Sequence, residues 1–173
     1  AKIIKHDPNF LFNYIQMGYQ TYFVDPEQVG IMERLSFESV RLGEVRDNVK
    51  DLEPFIRDAD MMSFDLSSIQ SMYMTASRTT NVFGLSGEEA CQICWNAGQN
   101  DKLSSVGFYE YCESLDATDH RSAQLLATMI WYFIEGYYHR KGDKNFLSND
   151  YLIYEVAFDG RPETTRFYKS KNS

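Results

Sequence analysis

The chain has little cysteine, proline or histidine: three, four and three residues among 173. Three cysteines are too few, and odd in number, for a disulfide framework, and they point to a reducing compartment, the cytoplasm. Cys91 and Cys94 have C-x-x-C spacing but sit in a helix-like segment. No second pair completes a zinc site, and no strand ends just before them as in a redox motif. They read as reduced structural thiols, and Cys112 as a small buried filler. Positive charge is scarce too. Seventeen Lys and Arg face twenty-five Asp and Glu, a net charge of −8. That balance disfavours nucleic acid or an anionic membrane as main partner, since both reward clustered cations. No apolar run approaches the ~18 residues of a membrane span. The longest, Leu125 to Tyr138, is interrupted by Thr128 and Glu135. A Gly-rich phosphate loop, a nucleophile elbow and an H-E-x-x-H motif are all lacking. His6, His120 and His139 have no partners at metal-ligand spacing and read as surface residues. His139 would complement a helix C-terminus.

What is present argues for a packed core. Twelve Tyr and twelve Phe are too many for a disordered chain. A chain of this length buries roughly 70% of the surface its unfolded form exposes. Residues 1–173 are expected to form a single domain. The opening Ala1-Lys2-Ile3-Ile4 lacks an initiator Met, and the chain ends soon after Tyr168, so it reads as a piece of something longer.

Strand-like and helix-like segments alternate. Gly18 to Val24 is rich in aromatic and β-branched residues and predicts a strand. Asp25-Pro26 then opens a helix running to about Leu42, with Asp as cap and Pro in the first turn. A short helix over 49–57 leads into a buried strand from Met61, with Asp65 near its far end. Residues 70–83 are polar and irregular, a loop of a length more often functional or mobile than inert. Ser86 and Glu89 have capping-box spacing for a helix that stops at Gly98. Ser105 to Tyr111 is the next strand and carries Glu110. Asp116 or Asp119 caps the longest helix, where Ala123, Leu126, Ala127, Ile130, Trp131 and Ile134 recur at helical spacing. Gly136 to Gly142 ends it. This aromatic helix, over 119–140, could serve a subunit interface as well as a core, so a homo-oligomer is among the expected states. Tyr151–Phe158 and Thr164–Tyr168 flank Asp159-Gly160-Arg161-Pro162 as a hairpin. The sum is α/β with a mainly parallel sheet and a C-terminal β-hairpin.

In an open α/β sheet, ligands bind outside the carboxyl ends of the strands. Asp65 and Glu110 both fall there. A carboxylate on a strand tip needs a cation, a donor cluster or water. Asp65 therefore suggests a metal or cation site, against the alternative that it caps the following loop. Glu110 could hold a cationic substrate group or pair with an arginine. Glu113 and Asp116 read as solvated or capping residues.

The order of these acidic segments resembles the C-terminal half of the arginase, agmatinase and formimidoylglutamase group, the ureohydrolases. The residues that carry the likeness are Ser63-Phe64-Asp65-Leu66-Ser67, then Gly84-Leu85-Ser86-Gly87-Glu88-Glu89, then Glu110-Tyr111-Cys112-Glu113, then Asp116 with Ser122-Ala123. The matched stretch runs from about 58 to 138 and leans toward the formimidoylglutamase branch. The resemblance implies a three-layer α/β/α fold and a site with two Mn²⁺ ions that activates a hydroxide. That hydroxide attacks a guanidino or formimino carbon of a small cationic or amino-acid-derived substrate. By the same likeness Asp65 is a metal ligand, and Glu110 is the catalytic-site glutamate that contacts the cationic end of the substrate. The family pattern is broken in places. Ser67 stands at a degenerate ligand position, where a second aspartate is expected. Gln70 and Ser71 replace Asp-Pro, so the loop is expected to lose its usual shape. Cys112 and Glu113 replace Asn-Pro. His6-Asp7-Pro8 is the nearest approach to the family's other ligand cluster and does not match it. Two expectations follow: a C–N hydrolase whose site is incomplete here, or an impaired relative that serves in binding, regulation or assembly.

Overall fold

The computed structural model describes residues 13–47, 49–79, 81–140, 151–157 and 164–171. It shows the expected class: helices with parallel strands and an antiparallel hairpin at the C-terminal end. The described strands pair in twos. β1 (Ile15–Tyr19) lies parallel to β2 (Glu38–Arg41), β3 (Met61–Asp65) parallel to β4 (Ser105–Tyr109), and β5 (Tyr151–Ala157) antiparallel to β6 (Thr164–Ser170). The Asp159–Pro162 turn and His6 lie outside the described residues. No helix among those described is long and apolar enough to cross a membrane.

Several boundaries differ from those expected. The first strand is Ile15–Tyr19 and not 18–24, because a bulge at Gly18 (φ 77) ends the regular register and Phe23 N–H closes a turn onto the Gln20 carbonyl at 2.9 Å. The aromatic pair Tyr22 and Phe23 marks an exposed turn. Helix α1 (Pro26–Arg34) starts as expected, with the Asp25 carboxylate accepting from Glu27 N–H at 3.0 Å. It stops eight residues early. Ser36 adopts a left-handed φ of 57, the Phe37 amide turns back to the Met32 carbonyl, and the chain enters β2. Helix α2 (Leu42–Asp47) begins where α1 was expected to end.

Strand β3 is buried on one face only. Phe64 is buried and Met62 half-buried, while Met61, Ser63 and Asp65 are exposed. The short helix expected over 49–57 is a 3₁₀ turn, Val49–Leu52, followed by α3 (Glu53–Arg57). Val45, Leu52, Ile56, Phe64, Leu66 and Ile69 form one buried cluster with Ala90, Cys94 and Ala97 of α4 (Gly87–Gln99) and Met129 of α5 (Arg121–Tyr138).

The α4–α5 contact corrects the reading of Gly98, while α5 ends at Tyr138, within the expected 136–142 stretch. Gly98 and Gly136 lie inside their helices and terminate neither. A Cβ on Gly98 would stand 2.2 Å from the Phe133 carbonyl oxygen, and one on Gly136 would stand 2.4 Å from that of Trp95. The two backbones touch here, which only glycine permits. Helix α4 ends instead at Asn100, whose buried side chain donates to the carbonyls of Ile56 and Ala59 at 2.7 Å each.

Candidate active site

The carboxyl ends of β3 and β4 meet directly, since Asp65 pairs with Tyr109 across the parallel ladder and Glu110 follows Tyr109. Both candidate carboxylates are exposed. Glu110 lies just past the strand, not within it, and takes a left-handed φ of 66. For a residue with a side chain that conformation costs about 1 kcal/mol or more. Non-glycine residues held there cluster at functional sites.

Asp65 has a structural duty as well. One of its carboxylate oxygens accepts from Ser67 N–H at 2.9 Å and caps the 3₁₀ turn Leu66–Ser68. Ser68 donates its hydroxyl to the Asp65 carbonyl at 2.6 Å. Ser67 thus contacts Asp65 through its backbone amide. Among the described residues no three His, Cys, Asp or Glu side chains group closely enough to hold a metal ion. These residues alone therefore do not fit a dinuclear centre.

The loop that follows is not loose. Its ends are closed by Gln70 N–H to the Leu85 carbonyl and Leu85 N–H to the Ser68 carbonyl, both at 2.8 Å. Gly84 allows that approach: a Cβ there would lie 2.2 Å from the Ser68 oxygen. Ser71 and Asn81 exchange backbone and hydroxyl bonds of 2.7 to 3.0 Å. The Asn81 amide then ties the turn after β3 to the segment after β1. Its nitrogen donates to the Ser67 carbonyl at 3.3 Å, and its oxygen accepts from Gln20 at 3.2 Å. Gln20, just past the end of β1, also accepts from the Tyr22 hydroxyl. Both amides are buried. Nothing in the sequence marks this pair, whose members lie 61 residues apart. Ser86 and Glu89 form the expected capping box at the start of α4. Arg46 donates to the Gly84 carbonyl and pairs with Glu89 at 3.6 Å.

A second network holds the far side of the loop against α5. The Asp116 carboxylate accepts from the amides of Ser122 at 3.2 Å and Ala123 at 3.1 Å, and from the Tyr111 hydroxyl at 3.2 Å. Residue His120, with φ 54, is the formal cap and supplies no side-chain bond. The expected carboxylates do the work in its place: Asp116 for the second and third amides, Asp119 for Arg121 at 3.2 Å. Partial burial works against ionisation of Asp116. The Ser122 hydroxyl, the two amides and Tyr111 outweigh it and hold the carboxyl down at about 2. Burial, with Asp116 beside it, pushes the Tyr111 phenol up.

A carboxyl depressed in the folded state contributes stability above its unfolded value of 3.8 and loses it as pH falls toward 2. The difference in denaturation midpoint between the wild type and Asp116→Asn should therefore be full at pH 5 and shrink between about pH 4 and 2. A difference that did not change with pH would contradict this assignment.

Ser122 is fully buried, and its hydroxyl oxygen accepts from the amides of Thr75 and Ala76 at 3.0 Å each. Ser122→Ala would strand two amides, an expected loss of about 2 kcal/mol by urea denaturation. Cys112 N–H adds a bond to the Ala76 carbonyl at 2.7 Å. Tyr111, Thr75 and the role of Ser122 escaped the sequence reading. The Asp116…Ser122-Ala123 spacing was the available signal.

The thiols divide as their surroundings dictate. Cys91 and Cys94 are free and buried. Burial pushes both up, Cys94 to about 12, as suits inert core residues. Cys112 is half-exposed and not the buried filler expected. Its sulfur lies 3.3 Å from the Ser114 hydroxyl, and Ser114 and then Arg78 draw its thiol below the ordinary value. His120 and His139 are exposed, as expected. The His139 ring sits 5.0 Å from Trp95, beside the end of α5. Glu113 is exposed on the 3₁₀ turn Glu113–Leu115.

Parallel strands that carry carboxylates at their carboxyl ends, a capped loop between them and a helix clamped over it define an α/β protein, of the class whose ligands bind at the strand tips. The sequence profile of the Arginase family matches residues 3–135. The chain belongs to that family, and the match begins well upstream of the motifs at 58–138. Solved structures agree on the fold. Trypanosoma cruzi formiminoglutamase solved with Mn²⁺ superposes with a TM-score of 0.68 at 22% identity, covering 73% of this chain and 45% of that one. Formimidoylglutamase from Bacillus subtilis gives 0.66 at 15% identity, covering 73% and 42%. Helicobacter pylori arginase gives 0.61 at 15%, covering 70% and 42%. The chain thus spans less than half the length of these structures. No curated protein matches it by sequence.

Proposed function

We propose that this chain carries part of the site of a C–N hydrolase acting on linear amidines, guanidino or formimino compounds. The observation that carries the reading is the meeting of Asp65 and Glu110 at the ends of two adjacent parallel strands. An amidinium presents a planar pair of N–H donors, which a carboxylate matches with two parallel bonds. Glu110, exposed and fixed by its backbone, is the group for that contact. In the family pattern Asp65 is a manganese ligand. Its partners would have to lie outside the described residues, because those described do not make the centre. The buried, free Cys91 and Cys94 suit a reducing, cytoplasmic setting.

One observation favours a second reading. Ser67 stands at the second aspartate position, and Asp65 already caps its own turn. A neutral hydroxyl supplies neither the charge nor the bidentate grip of a carboxylate. An impaired family member serving in binding, regulation or assembly fits those facts.

Calorimetric titration of the longest natural form with Mn²⁺ separates the two. Two tight sites, with release of ammonia, urea or formamide that Asp65→Ala abolishes, would support the hydrolase. Full activity in Asp65→Ala would sink it. Ser67→Asp should raise manganese affinity if Asp65 is a ligand, and no change would count against that role.

A further inference from the structure

We infer that the cleft at the carboxyl ends of β1 and β2 is a second binding site, for a small carboxylate with an apolar body. The inference goes beyond the hydrolase reading and does not rest on it. Two adjoining cavities, of about 390 and 260 Å³, share Tyr19, Thr21 and Arg41 as lining. The larger falls in the size range of small-ligand pockets. It lies where ligands enter parallel sheets, outside the carboxyl ends of the strands.

Charge is the first argument. The protein carries −8, yet the larger cavity has no acidic residue in its lining and two arginines, Arg41 and Arg46. Arg46 is held in place by the Gly84 carbonyl and partly answered by Glu89 at 3.6 Å. Arg41 is oriented by a different contact: its Nε donates to the Tyr19 hydroxyl at 3.1 Å. It takes part in none of the ion pairs found among the described residues, and Glu44 acts on it only through space. An arginine steadied by a neutral acceptor keeps its charge for a ligand. Its planar fork fits a carboxylate better than a spherical ion.

The apolar walls are the second argument. Tyr22 and Phe83 line the same cavity and are 64% and 66% exposed. Large rings left in water beside a cationic pocket suit a ligand with a hydrocarbon or aryl body. Both rings belong to segments already fixed, Tyr22 through Gln20 and Phe83 between Asn81 and Gly84. Gly43 also lines the cavity, and a Cβ there would meet nothing within 4 Å. The cleft therefore has room that a side chain could fill without disturbing the fold.

The test is calorimetry on the full chain with 3-phenylpropionate, its uncharged amide and inorganic phosphate. One-to-one binding of the carboxylate is expected. The amide should bind at least about tenfold more weakly, since it lacks the charge that strengthens a hydrogen bond to arginine. Phosphate should also bind more weakly, because it leaves the rings bare. Arg41→Met should reduce affinity about tenfold or more. Gly43→Leu should block the cleft, with both variants keeping the wild-type circular dichroism spectrum. Absence of carboxylate binding, or unchanged binding in Arg41→Met and Gly43→Leu, would overturn the inference. Phosphate binding as tightly as the carboxylate would overturn its apolar half.

Discussion

Gly98→Leu should leave the chain unable to hold its native fold at ordinary temperature. The first atom of the new side chain would lie 2.2 Å from the Phe133 oxygen and 2.9 Å from the Tyr137 nitrogen. Both are backbone atoms of α5, so no rotamer change relieves the clash and the helices must part. Parting them opens the contact among Ala97, Cys94 and Met129, all fully buried. Overpacking at one core position costs about 1–3 kcal/mol, and here loss of the neighbouring contacts adds to it. A domain stable by only about 5–15 kcal/mol has little margin for that. Gly98→Ala should go the same way with a smaller loss. Gly43→Ala is the control, since its Cβ meets nothing within 4 Å, and it should stay within about 0.5 kcal/mol of wild type. Urea denaturation followed by circular dichroism gives the comparison. A Gly98→Leu midpoint equal to wild type would show that the helices do not touch at this point.

Glu110 should split stability from activity. Glu110→Gly removes the penalty of a left-handed side-chain residue and should stabilise the fold by about 1 kcal/mol. If the proposed hydrolase reading holds, the same change in the longest natural form should lower amidine hydrolysis on the order of 100-fold or more, because it removes the carboxylate proposed to meet the cationic end of the substrate. Glu110→Gln keeps the shape and removes the charge. It should lose activity to a similar extent without the gain in stability. Chemical denaturation and steady-state assays on the two variants read both effects. Glu110→Gly that is more stable and fully active would leave the conformation a mere accident of the turn. Glu110→Gly with no gain in stability would mean that its side chain supports the fold.

Patterns local in sequence were legible. Ser86 and Glu89 announced their capping box because both partners sit within one helical turn. Asp25-Pro26 announced the start of α1 for the same reason. The acidic tips Asp65 and Glu110, with Asp116 and Ser122-Ala123 downstream, were legible as an ordered set, which is why the family could be read from single residues. The class of fold followed from alternation of period-2 and period-3.6 segments, a property of the chain itself.

Elements that depend on distant partners were not legible. Strand β2 is the short polar run Glu38-Ser39-Val40-Arg41, and only the parallel ladder to β1 makes it a strand. Gly98 looked like a helix stop because chain-terminating and close-packing glycines have the same local signature. Only the crossing of α4 and α5 tells them apart. The loop after β3 looked irregular because its order comes from residues that reach it from other elements: Gln20, which meets Asn81, and Ser122, which meets Thr75 and Ala76. By itself the sequence determined which residues can start helices, cross the core in strands and carry charge at a strand tip, since these rest on backbone geometry and side-chain chemistry within a few residues. The tertiary structure decided which tips meet, how Glu110 is held, and that an arginine-lined cleft forms beside β1 and β2, because each requires segments tens of residues apart to come within bonding distance.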